Sequence, residues 1–101
     1  MVTINAMADA WREDLRLSIL RLLHEAPGLT LNDSLLTKSV QILGISATRD
    51  QLRTEVGWLE QQGTIRCQVL SGLIVAELTE RGSDAAKGLA SIPGISRPSA
   101  R

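Results

Sequence analysis

Residues 48–78, TRDQLRTEVGWLEQQGTIRCQVLSGLIVAEL, decide the fold, because the spacing of the apolar residues changes period inside them. Thr48 is an expected N-cap, and Arg49 to Gln62 reads as a helix that stops at Gly63. Leu52, Val56 and Leu59 fall on one face, with Trp58 beside them. Arg49, Asp50, Arg53, Thr54, Gly57, Glu60 and Gln61 fall on the other. From Thr64 to Leu70 the run is β-rich and partly alternating, Ser71-Gly72 is a turn signal, and Leu73 to Leu78 reads as a second strand. A helix followed by a hairpin is therefore the first expectation.

Upstream, residues 33–43 read as a helix with Asn32 or Asp33 as its cap, Leu35, Leu36, Val40 and Leu43 facing inward, and Gly44 closing it. A longer helix is expected from Ala8 to Ala26, with Trp11, Leu15, Ile19, Leu22, Leu23 and Ala26 at helical spacing and Pro27-Gly28 ending it. Leu17 and Leu20 widen its apolar stripe beyond one face, so it needs a second covering surface, either the C-terminal helix or a partner subunit. Downstream, Thr79 caps a last helix through about Ser91, with Ala85, Ala86 and Leu89 as its apolar face. Residues 1–7 are expected to be a loose arm, 8–92 the domain, and 93–101 a mobile tail.

The fold class implied is mainly α with a β-hairpin, in the order of a winged helix-turn-helix. A chain of 101 residues fits one domain whose core is aliphatic, since Trp11 and Trp58 are its aromatics. Eleven basic and eleven acidic residues give zero net charge, so a nucleic-acid surface has to come from arrangement rather than surplus. One cysteine, Cys67, and one histidine, His24, argue against a disulfide within the chain and against a zinc site. No nucleophile–base set or glycine-rich phosphate loop is visible, and a non-enzymatic, cytoplasmic protein without cofactor is expected.

The segment from Arg16 to Ile65, with GLIVAELTERGSDAAKG at 72–88, resembles a family of roughly hundred-residue proteins of Mu-like phages and prophages. The motifs that carry the resemblance lie at Leu15 to Gly28, Arg49 to Gly63, Leu78 to Gly88 and Pro93 to Pro98, and it spans about nine-tenths of the chain. The resemblance implies a winged-helix, ArsR-like fold. Metal sensing does not carry over, because the paired cysteines and His/carboxylate clusters of the metal-sensing members are missing.

These readings lead to a dimeric protein that binds double-stranded DNA and regulates phage or prophage transcription. Candidate DNA contacts are Lys38, Thr48, Arg49, Arg53, Thr54, Arg66 and Arg81. The expected homodimer interface is Leu17 and Leu20 with Ala86 and Leu89. Against these, Asp50, Glu55 and Glu60 can balance the arginines as an ordinary solvated face. The alternative is a protein-interaction module acting in packaging or assembly, or on a host protein.

Overall fold

A computed structural model describes residues 3–98. Helix α1 runs Ile4–Glu25, and a 3-10 turn at Pro27–Leu29 leads into strand β1, Thr30–Asn32. Helices α2 (Asp33–Ile42) and α3 (Arg49–Gln61) follow, then β2 (Ile65–Leu70), β3 (Leu73–Leu78) and α4 (Glu80–Lys87). The molecule is mainly helical with a three-stranded antiparallel sheet, ordered β1-β3-β2.

Most element ends carry the chemistry expected of them. Asn32, Thr48 and Thr79 each accept a backbone N–H three residues on, at 2.8, 3.1 and 3.1 Å. Between the two caps left open in the sequence, Asn32 is the one used. Thr48 is half of a capping box, because Gln51 Oε1 accepts the Thr48 N–H in return. Gly88, at φ 78°, ends α4 at Lys87, four residues before the expected Ser91.

Three expectations are corrected. Residues 4–7 are not a loose arm: Thr3 Oγ1 accepts the Ala6 N–H, and the alanine-rich start is a strong helix former. Met1 and Val2 lie outside the described residues. Residues 93–98 are not a free tail either. Ile92 and Ile95 are buried, and Ser96 bonds the Glu13 carbonyl and the Asp14 carboxylate. Ser99 to Arg101 lie outside the described residues. Third, Leu17, Leu20 and Ala86 are buried in the chain's own core. The wide stripe of α1 is covered from within, largely by α4, so these three cannot form an exposed dimer surface. Of that proposed set only Leu89 is exposed, at 74%.

The core joins Leu15, Ile19 and Leu23 of α1 to Leu36 and Val40 of α2 and Leu52, Val56 and Leu59 of α3. Ile65, Ala76 and Leu78 of the sheet close its open side. Each buried leucine or isoleucine contributes about 1.5–3 kcal/mol, so the helices are held by packing more than by propensity.

The T-E-R-G run at 79–82 fastens the end of α3. Thr79 Oγ1 donates to the Gly63 carbonyl at 2.7 Å, and Arg81 Nε donates to the Gln62 carbonyl at 2.8 Å. These carbonyls follow the last turn of α3, where the helix has no internal donors left.

Candidate nucleic-acid interface

Arg49 and Arg53 are one helical turn apart on α3, so both side chains leave the same face. That face is turned toward the start of α2, where Asp33 is fully buried. Arg49 Nε donates to Asp33 Oδ2 at 3.0 Å, and Arg53 Nε donates to the same oxygen. The backbone N–H of Ile74, on β3, donates to Asp33 Oδ1 at 3.1 Å. Arg53 then reaches on to the Gly72 carbonyl at the hairpin turn, at 2.8 Å. One carboxylate therefore ties α2, α3 and the hairpin together.

A buried carboxylate is tolerated only when its oxygens are well supplied with donors. Burial pushes the Asp33 carboxyl upward, but the hydrogen bonds from Arg49 and Arg53, with that from Ile74, outweigh it and hold the group at about 2. It is ionised throughout the ordinary pH range. Two guanidiniums share this one negative charge, so the cluster keeps a formal charge of +1, on arginine side chains that remain partly exposed.

The side of α3 facing solvent carries Asp50, Thr54, Gly57 and Gln61. Thr54 Oγ1 donates to the Asp50 carbonyl, and no atom lies within 4 Å of where a Cβ on Gly57 would stand. This is a low, small-residue surface. Two of the three acids expected to balance the arginines have other uses, while Asp50 stays on this solvent face. Glu55 faces inward to pair with Arg16, and Glu60 accepts the Cys67 N–H at 2.8 Å.

The remaining candidates are dispersed. Lys38 is exposed on α2, between Leu35 and Ile42, both exposed; Leu35 and Leu43 do not face inward as expected. Thr48 has its hydroxyl committed to the cap. Arg66 pairs with Glu77 across the strands at 3.0 Å, near the base of the hairpin rather than its tip. Arg81 serves the C-terminal end of α3, roughly 20 Å along the helix from Arg49 at about 1.5 Å per residue. The structure thus brings Arg49 and Arg53 together with the hairpin turn, and leaves Arg66 and Arg81 apart from them.

Ser71 and Gly72, at φ 51° and 78°, both lie in the left-handed region, as a two-residue type I′ turn requires. Serine is a poor occupant of the first position, where asparagine is favoured. Ser71→Asn is expected to raise stability by about 0.5 kcal/mol, read as a higher urea midpoint; a lower midpoint would contradict the turn assignment. The strand residues flanking this turn are apolar and open, with Val69 72% and Leu70 55% exposed.

A second buried cluster escaped the sequence reading. Arg16 Nε donates to Glu55 Oε1 at 2.7 Å and Nη1 donates to the Gly94 carbonyl at 2.8 Å. Its guanidinium lies 3.8 Å from the centroid of the Trp58 ring. The group joins α1, α3 and the Pro93-Gly94 turn, and its role is to hold them. The legible signal was Glu55, a charge on the same helix face as Leu52, Val56 and Leu59. Burial, followed by the charge of nearby Glu60, pushes the Cys67 thiol up to about 11, which makes it a poor nucleophile at neutral pH.

Among the described residues, no three His, Cys, Asp or Glu side chains gather into a metal-binding cluster, and no helix is long and apolar enough to cross a membrane. Fold and site together define a small, mainly helical domain in which a buried carboxylate fastens two helices to a hairpin. The uncharacterized protein gp26 of Escherichia phage Mu is 37% identical to the chain over 93 residues, covering 92% of this chain and 96% of its own length. An uncharacterized protein of Haemophilus influenzae is 39% identical over 70 residues, covering 68% of each. The chain belongs to the family of phage Mu gp26. No family model and no solved structure matches it.

Proposed function

We propose that this member of the phage Mu gp26 family is a winged-helix protein that binds double-stranded DNA as a dimer and regulates phage or prophage transcription in the host cytoplasm. The element order supports the reading, with α3 in the place of a recognition helix and the β2–β3 hairpin as the wing. The observation that carries it is the tie from Asp33 through Arg49 and Arg53 to Gly72. It holds α3 and the hairpin turn as one unit while leaving the small-residue side of α3 open. Thr54 and Gly57 let that side approach base edges closely, and the residual positive charge of the arginine pair, with Lys38, serves phosphates.

Few cations are available, a net charge of +1 on the arginine cluster and that of Lys38, so affinity rests on about two phosphate contacts and is modest. A duplex of 24 base pairs, labelled with a fluorophore and titrated by anisotropy, tests this. Two contacts predict a loss of roughly 7-fold in affinity between 50 and 150 mM salt. Lys38→Ala is expected to reduce the salt slope by about one unit without altering stability. Arg49→Ala and Arg53→Ala are poor probes, because both side chains also hold the fold. Absence of binding at 20 mM salt would overturn the reading.

A second reading is favoured by one observation. The hairpin tip carries Val69 and Leu70 where a DNA-binding wing usefully carries cations. An apolar tip on a chain of zero net charge suits a protein partner, from the phage or the host, and this becomes the function if duplex DNA is not bound.

A further inference from the structure

The solvent side of α3 presents hydrogen-bond acceptors where a DNA-reading helix commonly presents cations. Asp50, Thr54, Gly57 and Gln61 recur at i, i+4, i+7 and i+11, which sets them within about 60° of one another around the helix axis. All four are exposed, and Asp50 leads them as the second residue of the helix. A carboxylate only accepts hydrogen bonds, and among the described residues none donates to that of Asp50 and no cation pairs with it. The neighbouring arginines are turned elsewhere. Arg49 bonds Asp33 through Nε and Nη2, while Arg53 bonds Asp33 through Nε and the Gly72 carbonyl through Nη2. Thr54 spends its one hydroxyl proton on the Asp50 carbonyl at 3.0 Å, so toward solvent it offers lone pairs and a methyl group. Capping does not call on the Asp50 side chain, because Thr48 and Gln51 already close the capping box.

We propose that Asp50 is the specificity-determining residue of this surface and that it selects cytosine, accepting a hydrogen bond from the N4 amine in the major groove. The inference rests on the DNA reading above and deepens it by naming the base that α3 reads. An anion entering a groove is repelled by the phosphates, so it is tolerated only where a base meets it with a donor. Guanine and thymine turn acceptors toward it. Adenine offers its N6 amine but sets the N7 acceptor beside it, whereas cytosine offers its N4 amine with no acceptor on the same ring.

Selection therefore works by penalty. At every other base the carboxylate loses its water and gains no donor, which costs more than a missing contact would. Reading guanine would need an arginine fork, and the Nε–Nη2 edges of Arg49 and Arg53 are committed to Asp33 and Gly72.

A pool of 24-base-pair duplexes with randomised central positions, selected by the full chain at 20 mM salt and sequenced, tests this. The parent chain is expected to enrich sites in which one position favours cytosine about tenfold over the other bases. Asp50→Ala should erase the preference at that position, and should bind the unselected pool about threefold more tightly because the anion is gone. Asp50→Asn should move the preference at the same position to adenine, whose N6 and N7 an amide matches. Both variants change an exposed side chain, and circular dichroism melts check that they fold. A first-turn acid that serves only the helix dipole would lower the melt on replacement and leave the selected sites unchanged, which would overturn the proposal. A pool bound without any cytosine preference would overturn it too, while leaving the DNA reading standing. A pool that is not bound at all would overturn both.

Discussion

Replacing Asp33 with alanine is expected to lower the stability of the fold by about 3 kcal/mol, measured as a fall in the urea midpoint at pH 7. The carboxylate accepts from two guanidiniums and one backbone N–H. On its removal the arginines, which are partly exposed, can turn to water, so their charges are not stranded. The Ile74 N–H and the link from α3 to the hairpin are lost together. Amide exchange should therefore quicken more at Gly72–Ile74 than at the base of the hairpin. Asp33→Asn keeps the volume and an acceptor for Ile74, and its effect should be about half as large. An unchanged midpoint in Asp33→Ala would contradict the assigned role.

The same group sets an acid dependence with a definite sign. Its folded value, about 2, lies below the ordinary 3.8, so the folded state binds the proton less readily than the unfolded chain does. Its contribution, about 2 kcal/mol, is therefore fully present above roughly pH 4 and is lost as pH falls toward 2. Asp33→Ala should flatten that part of the stability profile. If the variant and the parent lose stability in parallel between pH 4 and 2, Asp33 is not the responsible group.

Gly82→Ala is the second large effect. A Cβ there would stand 2.1 Å from the Thr64 carbonyl oxygen and 2.7 Å from Leu78 Cδ1. The first obstacle is backbone and cannot swing aside, so α4 must move away from the α3–β2 junction. A loss of roughly 2–4 kcal/mol is expected in chemical denaturation. Gly57→Ala provides the contrast, being helical and open to solvent. It should gain up to about 1 kcal/mol from helix propensity. Equal effects at the two glycines would show that α4 does not pack as closely as described.

How far the fold was legible follows the range of the signals. Local chemistry was readable: the caps Thr48 and Thr79, the Ser71-Gly72 turn, and the change of period between Gln62 and Thr64. Strand β1 was not, because three residues are too few to show alternation and their pairing partners, Val75 to Glu77, lie more than 40 residues away. The fold of residues 93–98 against α1 depends on two isoleucines in a Pro/Ser background, a pattern that locally reads as unstructured. The arginines of α3 were found by spacing, but their acceptor was not. Asp33 lies 16 and 20 residues upstream and read as an alternative to Asn32 for the helix cap. The dimer interface expected on α1 failed for a related reason. Periodicity shows that a face is apolar and leaves open which neighbour covers it, and here Leu17 and Leu20 are covered from within while Ile4 and Met7 are open.

The central claim is that α3 and the hairpin turn act as one preset surface for duplex DNA. Amide chemical-shift mapping of the 10.9 kDa chain with a 16-base-pair duplex at low salt tests it most directly. Shifts concentrated at Asp50, Thr54, Gly57 and Gln61 and at Ser71-Gly72 are the expected result. Shifts confined to α1 and α4, or none at all, would contradict it.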